Sequence, residues 1–181
     1  TPGYFDFVGE VQEGVRVADA ALIVLSGKSG LTVGAQQAFE KARSAGKSVG
    51  FFIGKLDSSH AHFYQVLSII TGHYGAVICP IFVPVMEGES VGCFVDLVEN
   101  KAYKFNGIEK TETAMPQSPE LEQMRSLMLE AVASTDDALM EKYFGGEEFT
   151  RDEIVAGLRS GIRSGDICPV YSGIQQLGDG V

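Results

Sequence analysis

The chain has 181 residues and a mass of 19.4 kDa, room for one large core or one core carrying a sizeable insertion. Its 24 acidic residues against 14 Lys and Arg leave a net charge of -10, which repels phosphate backbones and excludes a large direct nucleic-acid footprint. No apolar run approaches the roughly 20 residues needed to span a bilayer, and Thr1-Pro2-Gly3-Tyr4 has neither the basic nor the apolar region of a signal peptide, so neither membrane spanning nor secretion is expected.

The first half alternates strand and helix patterns. Ala20 to Leu25 is a continuous apolar run rich in β-branched residues, the signature of a buried parallel strand. Thr32 is placed to cap a helix with Val33, Gln36, Phe39 and Ala42 at helical spacing and Gly46 at its end. Ser48 to Ile53 predicts a second buried strand, and Ser58 and Ser59 are candidate caps for a helix with Phe63, Val66, Leu67 and Ile70 on one face. Ile78 to Val83 reads as one further extended segment, with Pro80 and Pro84 favouring a sheet edge or the margins of the strand. Strands linked by helices imply right-handed crossovers on a parallel sheet, so the fold class is α/β.

After about residue 75 the pattern changes. Val91 to Leu97 and Lys101 to Phe105 form two short strands joined by Val98-Glu99-Asn100, a hairpin pattern. A polar stretch leads to Ser118-Pro119, the start of a helix with an apolar stripe of Leu121, Met124, Leu127, Met128, Ala131 and Val132. The two methionines read as core filler. Thr135 with Asp136 and Asp137 begins another helix that stops at Gly145-Gly146. Thr150 and Glu153 fit a capping box ahead of Ile154, Val155, Leu158 and Ile162, with Gly165 just past the end. Ile167 to Tyr171 returns to strand character. Residues 75–166 are thus expected to form an inserted α+β subdomain, with residues 1–74 and 167–181 making the first sheet.

Cys79, Cys93 and Cys168 are odd in number, lack C-x-x-C spacing and sit among apolar neighbours, which predicts buried reduced thiols in a cytoplasmic protein. His60 and His62 lie beside Asp57, but residues two apart do not share a helix face, so a solvated helix start is expected and no metal site.

In an open parallel sheet, ligands bind at the carboxyl ends of the strands. Three segments fall there: Thr1-Pro2-Gly3, Gly54-Lys55-Leu56-Asp57 and Tyr171-Ser172-Gly173-Ile174. A strand-terminal K-x-D can lay the lysine stem over a flat base while the aspartate accepts two N–H bonds from a guanine edge. Adenine offers no such donor pair. Any exposed loop can carry K-x-D, so the motif alone is weak.

The segments T-P-G-Y-F-D-F, V-R-V-A-D-A-A-L-I-V-L and K-L-D-S-S-H-A-H-F closely resemble the GTPase domain of bacterial elongation factor G. V-D-L-V-E-N-K-A-Y, L-M-E-K-Y-F-G-G-E-E-F-T and P-V-Y-S-G are similar to G-prime, the insertion subdomain of that factor. The likeness covers essentially the whole chain, and it implies a GTPase core on the ribosome with GTP or GDP and Mg2+ as ligands.

Carried over residue by residue, the resemblance implies that Gly3 faces the γ-phosphate. Tyr4 stands where the family has the histidine that orients the attacking water. Lys55 and Asp57 match the guanine-reading N-K-x-D motif, with Gly54 in place of its asparagine. Gly173 is followed by Ile174-Gln175-Gln176 where the family has serine and alanine. The phosphate loop and first switch would precede Thr1, so the chain reads as an interior piece of a translational GTPase, altered at each nucleotide motif and not catalytically competent by itself. The resemblance also implies the large-subunit stalk protein as partner. Arg151, Arg159 and Arg163 are the candidate partner-facing residues, with a solvated helix face as the alternative. A ribosome-protection factor or a non-catalytic ribosome-binding module is the rival reading of the parent. An unrelated α/β nucleotide-binding or small-molecule-binding protein that happens to carry K-L-D is the remaining one.

Overall fold

A computed structural model describes residues 8–58, 60–88, 90–107 and 109–174. Four segments build a parallel sheet: β1 (Ala20–Ser26), β2 (Ser48–Gly54), β8 (Cys168–Ser172) and β3 (Ile78–Pro80), in that spatial order. Its strands are short apolar runs, and Phe51, Ile53, Cys168 and Val170 at its centre are fully buried. Helix α1 (Val8–Val17) precedes β1, and α2 (Val33–Ser44) and α3 (Phe63–Tyr74) fill the crossovers from β1 to β2 and from β2 to β3. Phe39 of α2, Phe51 of β2 and Tyr74 of α3 stack on one another, with centroids 3.9 to 5.8 Å apart, which fixes both helices to the sheet.

The expected caps are present on α2. Thr32 accepts the N–H of Ala35 at 3.3 Å, and Gly46, at φ 69°, closes the far end as Lys47 N–H reaches Ala42 O at 3.0 Å. The start of α3 differs from expectation. Ser58 does not cap it, Ser59 lies outside the described residues, and His62 occupies the cap position without a side-chain bond. The loop ahead of the helix is instead closed by backbone bonds, including His62 N–H to Gly27 O at 2.9 Å.

The single extended segment expected over Ile78 to Val83 is two strands in two sheets. β3 ends at Pro80, and β4 (Phe82–Glu87) opens a four-stranded antiparallel sheet with β5 (Ser90–Asp96), β6 (Lys101–Asn106) and β7 (Glu109–Thr113), in chain order. Ile81 is the junction. Its N–H bonds Val170 O of β8 at 2.9 Å, and its carbonyl accepts Leu97 N–H from the far end of β5 at 3.0 Å. Pro80 and Pro84 both sit in edge strands, where a missing N–H costs least. β7 goes beyond the sequence expectation, because its E-K-T-E-T sequence has no apolar alternation; register with β6 and the Lys101–Glu112 pair at 2.9 Å hold it.

Helices α4 (Pro119–Ala133), α5 (Asp137–Phe144) and α6 (Arg151–Ser164) follow. Leu121, Met124 and Met128 of α4 are buried, so the methionines are core. Asp136, rather than Thr135, caps α5 by accepting the N–H groups of Ala138 and Leu139. The Thr150–Glu153 capping box is complete, and α6 ends at Gly165, in the left-handed conformation. Arg43 of α2 donates to Gly165 O, and Ser48 Oγ of β2 to Ile162 O at 2.7 Å, tying α6 beneath the parallel sheet before the chain enters β8. Cys79, Cys93 and Cys168 are all buried, and burial pushes the Cys79 thiol up to about 12, with Cys168 adding to it.

Candidate functional site

The carboxyl ends of β1, β2 and β8 lie side by side, and the chain leaves each strand in a loop on the same edge of the sheet. Ile53 accepts the N–H of Gly173 at 3.2 Å, which sets the end of β8 against the end of β2. Two of the three candidate segments therefore meet: Gly54-Lys55-Leu56-Asp57 and Ser172-Gly173-Ile174. The third, with Gly3 and Tyr4, lies outside the described residues, as do Gln175 and Gln176.

The K-L-D loop has an inside and an outside. Leu56 is 1% exposed, while Lys55 and Asp57 on either side of it are exposed. A buried apolar anchor between two charged groups presents both of them at the surface from one short loop. Lys55 has φ 55° and His60 φ 67°, left-handed conformations that side-chain-bearing residues hold only when their surroundings impose them. His62 is exposed at the start of α3, and among the described residues no group of three or more His, Cys, Asp or Glu is placed to hold a metal.

Ser172 is completely buried, and its hydroxyl donates to Phe82 O at 2.8 Å, bolting the end of β8 to the first residue of β4. Ile174 is 5% exposed and packs into the core. Burial holds the neighbouring Tyr171 phenol above its ordinary value, with contributions from Cys79 and Asp96. Directly after Gly173, where the resemblance implies a serine, the chain thus has an apolar side chain turned inward.

The residues not anticipated are Gly27, just past β1, and Leu56 in its anchoring role. Gly27 N–H donates to Gly54 O at 2.8 Å. A Cβ on Gly27 would stand 2.8 Å from Leu56 Cδ2. The apolar letter inside a polar loop is a usable signal for Leu56. Nothing local marks Gly27.

The expected partner-facing arginines are spread along α6. Arg151 is paired with Glu99 at 2.6 Å, which joins the start of α6 to the turn between β5 and β6. Arg159 and Arg163 are exposed. Arg163 lines a polar cleft of about 440 Å³ with Arg43, Lys47 and Ser164, at the sheet edge opposite the K-L-D loop. On the outer side of the parallel sheet, Leu22 and Val24 of edge strand β1 are 60% and 63% exposed. A groove of about 520 Å³ with apolar walls runs there between α1 and α2. Among the described residues no helix is long and apolar enough to cross a membrane.

Comparison with known proteins gives a consistent match. Residues 1–173 match the family described as the elongation factor Tu GTP binding domain. The chain is 32% identical over 181 residues to an elongation factor G-like protein of Thermotoga maritima, covering all of this chain and 26% of that protein. Its fold is similar to that of a Thermus thermophilus protein known from a crystal structure, with a TM-score of 0.86, 32% identity, and coverage of 98% of this chain and 27% of that one. The chain spans about a quarter of the length of these relatives.

Proposed function

The chain belongs to the elongation factor Tu GTP binding domain family, and from that premise we propose that it supplies the guanine-reading end of an elongation factor G-like translational GTPase, in an altered form. The observation that carries this reading is the K-L-D loop, with Lys55 and Asp57 exposed on either side of buried Leu56 at the carboxyl end of β2, against the end of β8. Lys55 lies along the face of a guanine, and Asp57 accepts the two N–H groups of its edge. An adenine leaves that carboxylate unmatched, which supplies the selectivity.

Affinity is weak. Gly54 brings no side-chain amide to brace the base, and Ile174 is buried where the family pattern has a polar serine. Tyr4 carries a phenol in place of the water-orienting imidazole. The chain has no G-x-x-x-x-G-K-[ST] phosphate loop in its sequence. Phosphate cradling and Mg2+ binding therefore fall to other parts of the parent, and this chain does not hydrolyse GTP by itself. Calorimetric titration with GDP and Mg2+ tests the reading. Weak, guanine-selective binding supports it, and sub-micromolar affinity contradicts it.

The second sheet with α4 to α6 corresponds in this reading to the G-prime subdomain expected over 75–166, of which β3 pairs with β8 in the parallel sheet. The parent acts on the ribosome, and the exposed Arg159 and Arg163 contribute to a stalk-protein contact, which a pull-down with that protein examines. The bare Leu22 and Val24 of β1 are covered by other segments of the parent, consistent with an apolar face left at a sheet edge. A parent degenerate in turnover, including a ribosome-protection type, is the second reading, favoured by Tyr4 and Gly54. Tyr4→His with Gly54→Asn in the parent then raises ribosome-stimulated hydrolysis; no change counts against it.

A further inference from the structure

We propose that Gly27 is the clamp of the base-reading loop, acting with Leu56 as a positioning pair that sets where Lys55 and Asp57 stand. The proposal rests on the guanine reading of that loop.

Gly27 holds the loop at both ends. Its N–H donates to Gly54 O, at the loop's first residue, at 2.8 Å. Its carbonyl accepts the N–H of His62, at the loop's last residue, at 2.9 Å. Between those ends the backbone bonds are local, Ser58 N–H to Lys55 O at 3.3 Å and Ala61 N–H to Ser58 O at 3.1 Å. The left-handed Lys55 and His60 need an outside hold to persist, and the N–H and C=O of one residue at the β1 exit supply it.

The missing side chain matters as much as the peptide. Leu56 is 1% exposed, and its Cδ2 lies 2.8 Å from the point where a Cβ on Gly27 would stand, with Ala61 Cβ at 3.3 Å. A methyl at residue 27 forces the end of the Leu56 side chain to shift, and in the proposal the buried leucine yields through the loop backbone, carrying Lys55 and Asp57 with it. Misplacing recognition groups by about 1 Å can cost on the order of 100-fold in a precisely aligned site. A glycine that merely fills space would lower stability without touching base selectivity.

The experiment follows backbone amide shifts and 15N relaxation of the chain, first without nucleotide and then in titrations with GDP and with ADP. Gly27→Ala is expected to shift amides across 54–62 while those of β4 to β7 stay in place, and to weaken the GDP response at least about tenfold, leaving the ADP response unchanged. Leu56→Val in the same chain removes the δ-carbons and restores both readouts. Leu56→Ala, which withdraws the plug and leaves residue 27 untouched, gives the same loop-confined shift. Gly72→Ala, at a helical glycine with nothing within 4 Å, changes neither.

Unmoved 54–62 amides in Gly27→Ala, no recovery with Leu56→Val, or a full GDP response from a displaced loop overturns the proposal. If the wild-type chain does not distinguish GDP from ADP, the guanine reading fails, and the clamp is then decided by the nucleotide-free amide shifts alone.

Discussion

Alanine at Gly161 and alanine at Gly72 are expected to have opposite effects, although both positions lie inside helices. A helical glycine replaced by alanine gains about 0.5–1 kcal/mol from the lost backbone freedom of the unfolded chain. At Gly72 of α3 a new methyl meets nothing within 4 Å, so that gain stands. At Gly161 of α6 the methyl would lie 2.5 Å from Ile167 Cδ1, 2.6 Å from Ile167 Cγ1 and 3.0 Å from Thr135 Cγ2. Ile167 is 1% exposed and has no open side to move into. Overpacking of a buried site costs about 1–3 kcal/mol, so the net result at Gly161 is a loss on the order of 1 kcal/mol. Urea unfolding measures both, and with m of about 2 kcal/mol/M the Gly161→Ala midpoint falls by roughly half a molar. Ile167→Val, which removes Cδ1, costs less in the Gly161→Ala chain than in the wild type. Equal stabilisation by the two alanines, or strict additivity with Ile167→Val, refutes the reasoning.

Arg43→Ala removes the donor to Gly165 O and is expected to destabilise by about 1 kcal/mol in the same urea assay. Glu153 is held down to about 2 by its bond to Lys142, then by the Thr150 backbone and hydroxyl bonds. Its folded value lies below the ordinary 4.5, so its contribution is complete above about 4.5 and fades as pH falls toward 2. The stability difference between the wild type and Glu153→Gln narrows across that window, as a pH series of thermal melts would record; a constant difference contradicts it. Leu22→Thr with Val24→Thr changes the stability of this chain by no more than about 0.5 kcal/mol, because both side chains are mostly exposed. In the parent the same pair lowers the melting temperature if other segments cover that face.

The parallel sheet is legible in the sequence because its strands are apolar runs, and helices α2 and α6 are legible because Thr32, Gly46, Thr150 and Gly165 mark their ends, all local signals. The split at Ile81 is not, since I-C-P-I-F-V is apolar throughout and only long-range bonds to Val170 and Leu97 divide it between two sheets. β7 is hidden for the opposite reason, a polar sequence held by its neighbour's register. In the candidate site, Lys55 and Asp57 can be named from spacing, and Leu56 has a signal of its own. Gly27 has none, because its role comes from contacts with residues 54, 56, 61 and 62, across a whole helix and strand. The start of α3 departs from expectation for the same reason: two serines stand near it, but the loop is closed by Gly27.

The most direct test of the central claim is a residue-resolved titration of the chain with GDP and, separately, ADP. GDP-induced amide shifts are expected at residues 54–57 and 172–174, saturating with a dissociation constant weaker than micromolar, with no matching response to ADP. Equal shifts from both nucleotides, shifts confined to another face, or sub-micromolar GDP affinity would contradict it.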